Sequence, residues 1–163
     1  MNPIFLSPEL MTYLPRLALA VVLSGVIGWE RETGGKAAGF RTHVLFGLGT
    51  ALFMLLGLEV ARLATDSAAE QTARVFAGLV QGIGFLGAGV ILREAGEGRG
   101  LTTAAGLWTV AAVAVASALG AYLLAVIATL LALVTLRLLK LPEQALESRR
   151  RRLAHKQQRE EFE

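Results

Sequence analysis

Glu30, Glu32, Arg41 and His43 lie within fourteen residues of one another in the stretch GWERETGGKAAGFRTH. Two carboxylates with a basic counter-charge can hold a hard cation or a small charged solute. Magnesium in particular takes oxygen ligands and keeps several waters, so one or two carboxylates suffice. On that reading Glu30 and Glu32 are the metal-ligand candidates, Arg41 is their counter-charge, and Gln81, Thr102 and Thr103 are neutral ligands. The competing reading is a loop of solvated charges. His43 reads equally as a lining residue or as a packed, hydrogen-bonded one. The stretch GLTTAA from Gly100 signals a helix start, with Thr102 or Thr103 as a cap, and helix N-termini favour anions, so an anionic solute stays open beside a cation. Enzyme chemistry is not expected. His43 and His155 are the only histidines, there is no cysteine, and no nucleophile has a base at recognisable spacing. No cofactor is implied.

The elements that must position these groups are membrane spans. The chain is 54% hydrophobic with a mean hydropathy of +0.55, and its uncharged runs are Leu17 to Trp29, Thr42 to Leu58, Val75 to Leu92 and Gly100 to Leu136. A bilayer core takes about 20 residues of helix. The last run has 37 residues, about 55 Å as one helix at 1.5 Å per residue, so a turn is expected in Ser117-Ala-Leu-Gly120. The first run extends back to Leu10 if Pro15 sits in its first turn and Arg16 snorkels. The expectation is an all-α, polytopic bundle of about five spans, near 10–29, 41–58, 74–93, 101–117 and 121–140. These form one transmembrane domain over 1–141, followed by a basic tail over 142–163.

Charge sets the orientation. With the N-terminus outside, thirteen of the sixteen Lys and Arg residues fall in cytoplasmic segments and only Arg16, Arg62 and Arg74 outside, so the positive-inside rule favours N-out and C-in. A signal peptide is rejected, because the first fifteen residues hold no Lys or Arg. The tail cluster Arg149, Arg150, Arg151 and Arg152 is read as a lipid-headgroup contact, not a nucleic-acid site, since no recognition fold accompanies it.

The third span, carrying GLVQGIGFLGAG, separates by size on a helical wheel. Ala77, Gly78, Gln81, Gly82, Gly84, Ala88 and Gly89 share one face, and Val75, Phe76, Leu79, Val80, Ile83, Leu86 and Val90 the other. Small residues let helices approach in lipid. The small face, with Gly78, Gly82, Gly84 and Gly89 as packing positions, is therefore expected to turn inward, bringing Gln81 with it. Matching interior faces are expected at Ser24, Gly25 and Gly28 with Glu32 a turn on, at His43, Gly47, Thr50, Met54 and Gly57, and at Thr102, Gly106 and Thr109. The fifth span is apolar nearly all round, as for a peripheral helix.

Three blocks, GWERETGGKAAGFRTHVLFGLG, VQGIGFLGAGVILR and GLTTAAGLWTVAAVAVASALGAY, resemble the MgtC/SapB family of bacterial membrane proteins. The matched motif positions are Glu30, Arg31, Glu32, Gly39, Arg41, Thr42 and His43, then Gly82 to Gly89, then Leu101 to Ala105 and Trp108. The resemblance implies an inner-membrane protein of about five spans with a cytoplasmic C-terminus. It also implies a link to growth at low magnesium, through modulation of other membrane proteins such as the F-type ATP synthase. The chain resembles the short form, without a cytoplasmic C-terminal domain. Two functions stay open: a bundle that binds or transports a cation such as magnesium or another small solute, and a non-transporting regulator that binds a membrane-protein partner. Either is compatible with a homodimer in the lipid bilayer.

Overall fold

The computed structural model describes residues 8–63, 67–93 and 100–138, and every regular element among them is an α-helix. The five helices are α1 (Pro8–Thr33), α2 (Phe40–Leu63), α3 (Ala68–Arg93), α4 (Gly100–Ala118) and α5 (Tyr122–Leu138). The first four are long and apolar enough to cross a membrane, and α5 is an apolar helix of 17 residues. The all-α transmembrane bundle expected from the apolar runs is what the chain forms. The basic tail, including Arg149 to Arg152, lies outside the described residues.

Helices outrun the uncharged stretches. α1 continues through the charged residues to Thr33, and α2 and α3 meet the loop between them as charged turns, where Arg62 pairs with Glu59 at 2.9 Å and Arg74 with Glu70 at 2.7 Å. Such i,i+3 and i,i+4 pairs lie side by side on a helix surface and extend it into water. Pro15 is not in a first turn, because α1 already starts at Pro8, and the helix continues past the missing N–H.

Two glycines end helices by left-handed geometry. Gly35 has φ +64° and Gly120 φ +81°. Around each, one N–H returns to the carbonyl five residues back and one to the carbonyl three back: Lys36 to Arg31 and Gly35 to Glu32, then Ala121 to Ala116 and Gly120 to Ser117. These are Schellman ends. The second is the turn expected in the 37-residue run, and it separates α4 from α5.

Antiparallel packing of α1 and α2 has a four-residue rhythm. A Cβ placed on Gly47 would strike Ser24, one on Gly28 would come within 2.7 Å of the His43 Cβ, and one on Gly39 would come within 2.7 Å of the Glu32 carboxylate. Each rung sets a glycine of one helix or its cap against a polar side chain of the other, so backbones approach closely enough to bury Ser24 and His43 completely. α4 is the central helix, packed against all four others. The core around it comprises Ala20, Ala51, Met54, Leu55, Ala114, Val115 and Ala118, small side chains for the most part. At the far end of the bundle, Arg16 Nη1 donates to the Ala118 carbonyl at 2.9 Å beside Gly120, and the Tyr13 hydroxyl donates to Glu59.

The peripheral place expected of α5 is observed, with only Ala125 and Thr129 buried. The interior face expected on α2 is observed in full: His43, Gly47, Thr50, Met54 and Gly57 are all buried. On α4 the expectation needs correction, since Thr102 is exposed and the buried hydroxyl is Thr103. The larger correction concerns α3. Nothing lies within 4 Å of a Cβ at Gly78, Gly82, Gly84 or Gly89, and Gln81 is exposed. Part of the larger face meets the bundle instead: Val75 fills the notch left by Gly57, Leu79 packs on the core and Ile83 is buried, while Phe76 and Leu86 stay exposed. The glycines that permit close approach to α3 are on its partners or at Gly87, whose Cβ position faces Ala104 and Trp108. A size-sorted wheel shows that two faces differ but not which one meets protein.

Candidate functional site

The last turn of α1 carries two ionisable side chains into the bundle. Glu30 is 3% and Arg31 1% exposed, and Arg31 Nη1 stands 3.7 Å from Glu30 Oε2. The apolar stripe of α1 places them there, because stepping three or four residues from Ala20 through Ser24 and Ile27 reaches Arg31, and from Leu23 through Ile27 reaches Glu30. Charges this deep are expensive unless paired.

His43 lies beside them on α2, fully buried and within electrostatic reach of both Arg31 and Glu30. Its Nδ1 is 2.9 Å from the Gly39 carbonyl. A carbonyl only accepts, so Nδ1 carries the proton and Nε2 points the other way, buried and without a partner among the described residues. The Gly28 notch makes room for this ring, since any side chain there would meet it.

Thr103 completes the cluster from α4. The Arg16–Ala118 hydrogen bond fixes the relative height of antiparallel α1 and α4. Fifteen residues further along α1 is Arg31, and fifteen back along α4 is Thr103, so equal helical rise brings the two to within about a turn of the same height at the opposite end of the bundle. Thr103 is 1% exposed and its Oγ1 has no partner among the described residues. Arg31 Nε and Nη2 are likewise buried and without a partner among the described residues. A buried polar group left unpaired costs about 1–3 kcal/mol, so the arginine edge, the imidazole nitrogen and the threonine hydroxyl at this end of the bundle are the groups with binding capacity to spare.

The residues proposed from sequence thus divide. Glu30, His43 and Thr103 are buried at one end of the bundle, while Glu32, Arg41, Gln81 and Thr102 are exposed. Glu32 acts as a cap instead, since its Oε2 accepts from the Phe40 N–H at 2.6 Å and so holds the start of α2 across the loop. Arg41, expected as the counter-charge, is replaced in that position by Arg31, which motif reading as a site did not select although the buried stripe of α1 leads to it. α4 begins at Gly100, so Thr102 and Thr103 are inside its first turn and do not cap it. Among the described residues no three His, Cys, Asp or Glu side chains are grouped to hold a metal ion.

A second feature is separate from the polar cluster. A groove of about 510 Å³ runs between α2 and α3, lined by Phe46, Gly49, Phe53, Gly78, Gly82 and Leu86 among others. It borders the open small face of α3, with Gln81 exposed halfway along the helix.

Comparison with known proteins adds the lineage. Residues 17–145 match the family model described as the MgtC family. The chain is 40% identical over 126 residues to YhiD of Escherichia coli strain K12, whose name presents it as a candidate magnesium transporter, covering 76% of this chain and 59% of that protein. It is 39% identical over 129 residues to SrpB of Synechococcus elongatus, covering 74% and 71%, and 40% identical over 121 residues to MgtC of Salmonella typhimurium strain LT2, covering 74% and 49%. The chain therefore spans about half to three-fifths of the length of YhiD and MgtC. No solved structure matches it.

Proposed function

Because the chain belongs to the MgtC family, we propose that it serves magnesium homeostasis as a regulator, binding a transmembrane helix of another membrane protein and conducting no ion itself. The observation that carries this reading is the open face of α3. Gly78 and Gly82 border the α2–α3 groove with nothing within 4 Å of their Cβ positions, and Gln81 projects from mid-helix. At that depth lipid tails offer an amide no hydrogen bond, and small residues admit a close helix. The fitting partner is a helix with a small-residue face and one polar side chain opposite Gln81.

The charged end argues in the same direction. A magnesium site needs carboxylate oxygens facing one space, but Glu32 is committed to the α2 cap and Glu30 lies against Arg31. The names of YhiD and MgtC support the link to magnesium. The charge count supports an inner-membrane protein with its N-terminus outside and its charged α1–α2 end in the cytoplasm.

Reconstitution tests the reading. Proteoliposomes containing the purified chain are expected to show no magnesium flux above protein-free vesicles. Co-reconstitution with the F-type ATP synthase, the partner the family resemblance points to, is expected to alter proton-driven ATP synthesis. Gly82→Leu, at a position whose Cβ has nothing within 4 Å, is expected to abolish the effect. Magnesium flux lost on Glu30→Gln overturns the reading in favour of transport.

A further inference from the structure

The buried edge of Arg31 has a geometry that neither the regulator reading nor the family match uses. In a guanidinium, Nε–H and one Nη–H point the same way and form a side-on fork that matches two oxygens of a carboxylate or phosphate. The two unpartnered nitrogens of Arg31 are Nε and Nη2, the pair that makes this fork, while Nη1 is turned to Glu30 at 3.7 Å. The fork belongs to a side chain that is 1% exposed.

On its Nη1 side the guanidinium is balanced by the buried Glu30 carboxylate, and the case for an anion rests on its other edge. Arg31 is level with the first turn of α4, which carries no acidic residue and whose first N–H groups have no intrahelical acceptor. Thr103 brings a buried, unpartnered hydroxyl to the same level. The α2 N-terminus is adjacent and already capped by Glu32, which leaves the fork and the α4 end as the anion-favouring groups among the described residues at this level. Lys36 and Arg41 stand exposed at this end of the bundle. Depth indicates the class of anion. Trp29, exposed and packed edge-on against Phe40 with ring centroids 6.2 Å apart, is two residues before Arg31. Exposed tryptophan marks the membrane–water interface, so Arg31 lies at the height of phospholipid headgroups.

We propose that Arg31, Thr103 and the N-terminus of α4 form a receptor for a phosphate group, taken bidentately on the Arg31 fork with the Thr103 hydroxyl as a third donor. The phosphate comes from an anionic phospholipid headgroup or from free phosphate, since the recognition chemistry is the same. The site is independent of the α2–α3 groove and does not rest on the regulator reading.

The experiment uses the full chain purified in a phosphate-free maltoside detergent. In one arm, thermal unfolding is followed against inorganic phosphate at constant ionic strength, with chloride as control. In the other, phosphatidylglycerol is added and retention is read by native mass spectrometry. A saturable effect in the first arm identifies free phosphate, and one confined to the second identifies the headgroup. In whichever arm responds, Arg31→Lys, which keeps the charge and loses the fork, is expected to weaken binding at least tenfold. Thr103→Val is expected to weaken it several-fold, and Arg74→Gln, an exposed arginine paired with Glu70 near the start of α3, to leave it unchanged. No saturable response in either arm overturns the proposal, as does a response that survives Arg31→Lys. Should Arg31→Lys not fold, Thr103→Val decides alone, because valine preserves the volume, and undiminished binding overturns the proposal.

Discussion

Glu30 and Glu32 are two residues apart and have opposite fates, because a helix turns about 200° between them. Glu30 points into the bundle beside Arg31, whereas Glu32 stays exposed and accepts the Phe40 N–H at 2.6 Å. If Glu32 is a cap, Glu32→Ala lowers stability by about 1 kcal/mol. Glu32→Gln, which keeps the acceptor and loses the charge opposite the helix dipole, costs roughly half as much. Chemical denaturation in detergent measures both. Added magnesium is expected to shift the unfolding of wild type and Glu32→Gln alike; a magnesium stabilisation lost only in Glu32→Gln would restore it as a ligand.

Glycine acts at the scale of helix pairs, and its position decides its role. Gly28 on α1 and Gly57 on α2 face His43 and Val75 closely enough that a methyl group has no room, whereas Gly78 and Gly82 on α3 face open space. Gly28→Ala and Gly57→Ala are therefore expected to destabilise the monomer by about 1–3 kcal/mol, the usual cost of overpacking. Gly82→Ala is expected to leave monomer stability unchanged and act only where a partner helix is bound. Thermal unfolding of the three variants side by side separates packing glycines from docking glycines; a large loss for Gly82→Ala would mean that α3 buries its small face after all.

For the whole molecule, the distribution of basic residues predicts the direction of insertion, and labelling tests it. The chain contains no cysteine, so single-cysteine variants report cleanly. With N-out and C-in, Ser67→Cys in the α2–α3 connection is labelled by an impermeant maleimide added to intact cells. Lys36→Cys between α1 and α2 is labelled only after permeabilisation. The reverse pattern would invert the bundle and place the Arg31 fork on the outside. The polar clasp at the far end, Arg16 on Ala118 and Tyr13 on Glu59, makes the two ends of the bundle chemically distinct in either case.

The helices themselves were legible without coordinates, because bilayer thickness demands long apolar runs and glycine at Gly35 and Gly120 supplies turns that few other residues allow. The interior face of α2 was legible as well, since small and polar residues recur on one side of it. Two matters depended on tertiary structure. Which face of α3 turns inward depends on what its neighbours present: Gly57 on α2 leaves the notch that takes Val75, and Ala104 and Trp108 on α4 face Gly87 of α3. Which charges are buried depends on how far α1 continues beyond its apolar run. Its extension to Thr33 gives the buried place to Arg31 and leaves Arg41 exposed. In both cases composition records what each helix offers, and only the relative rotation and height of packed helices selects what is used.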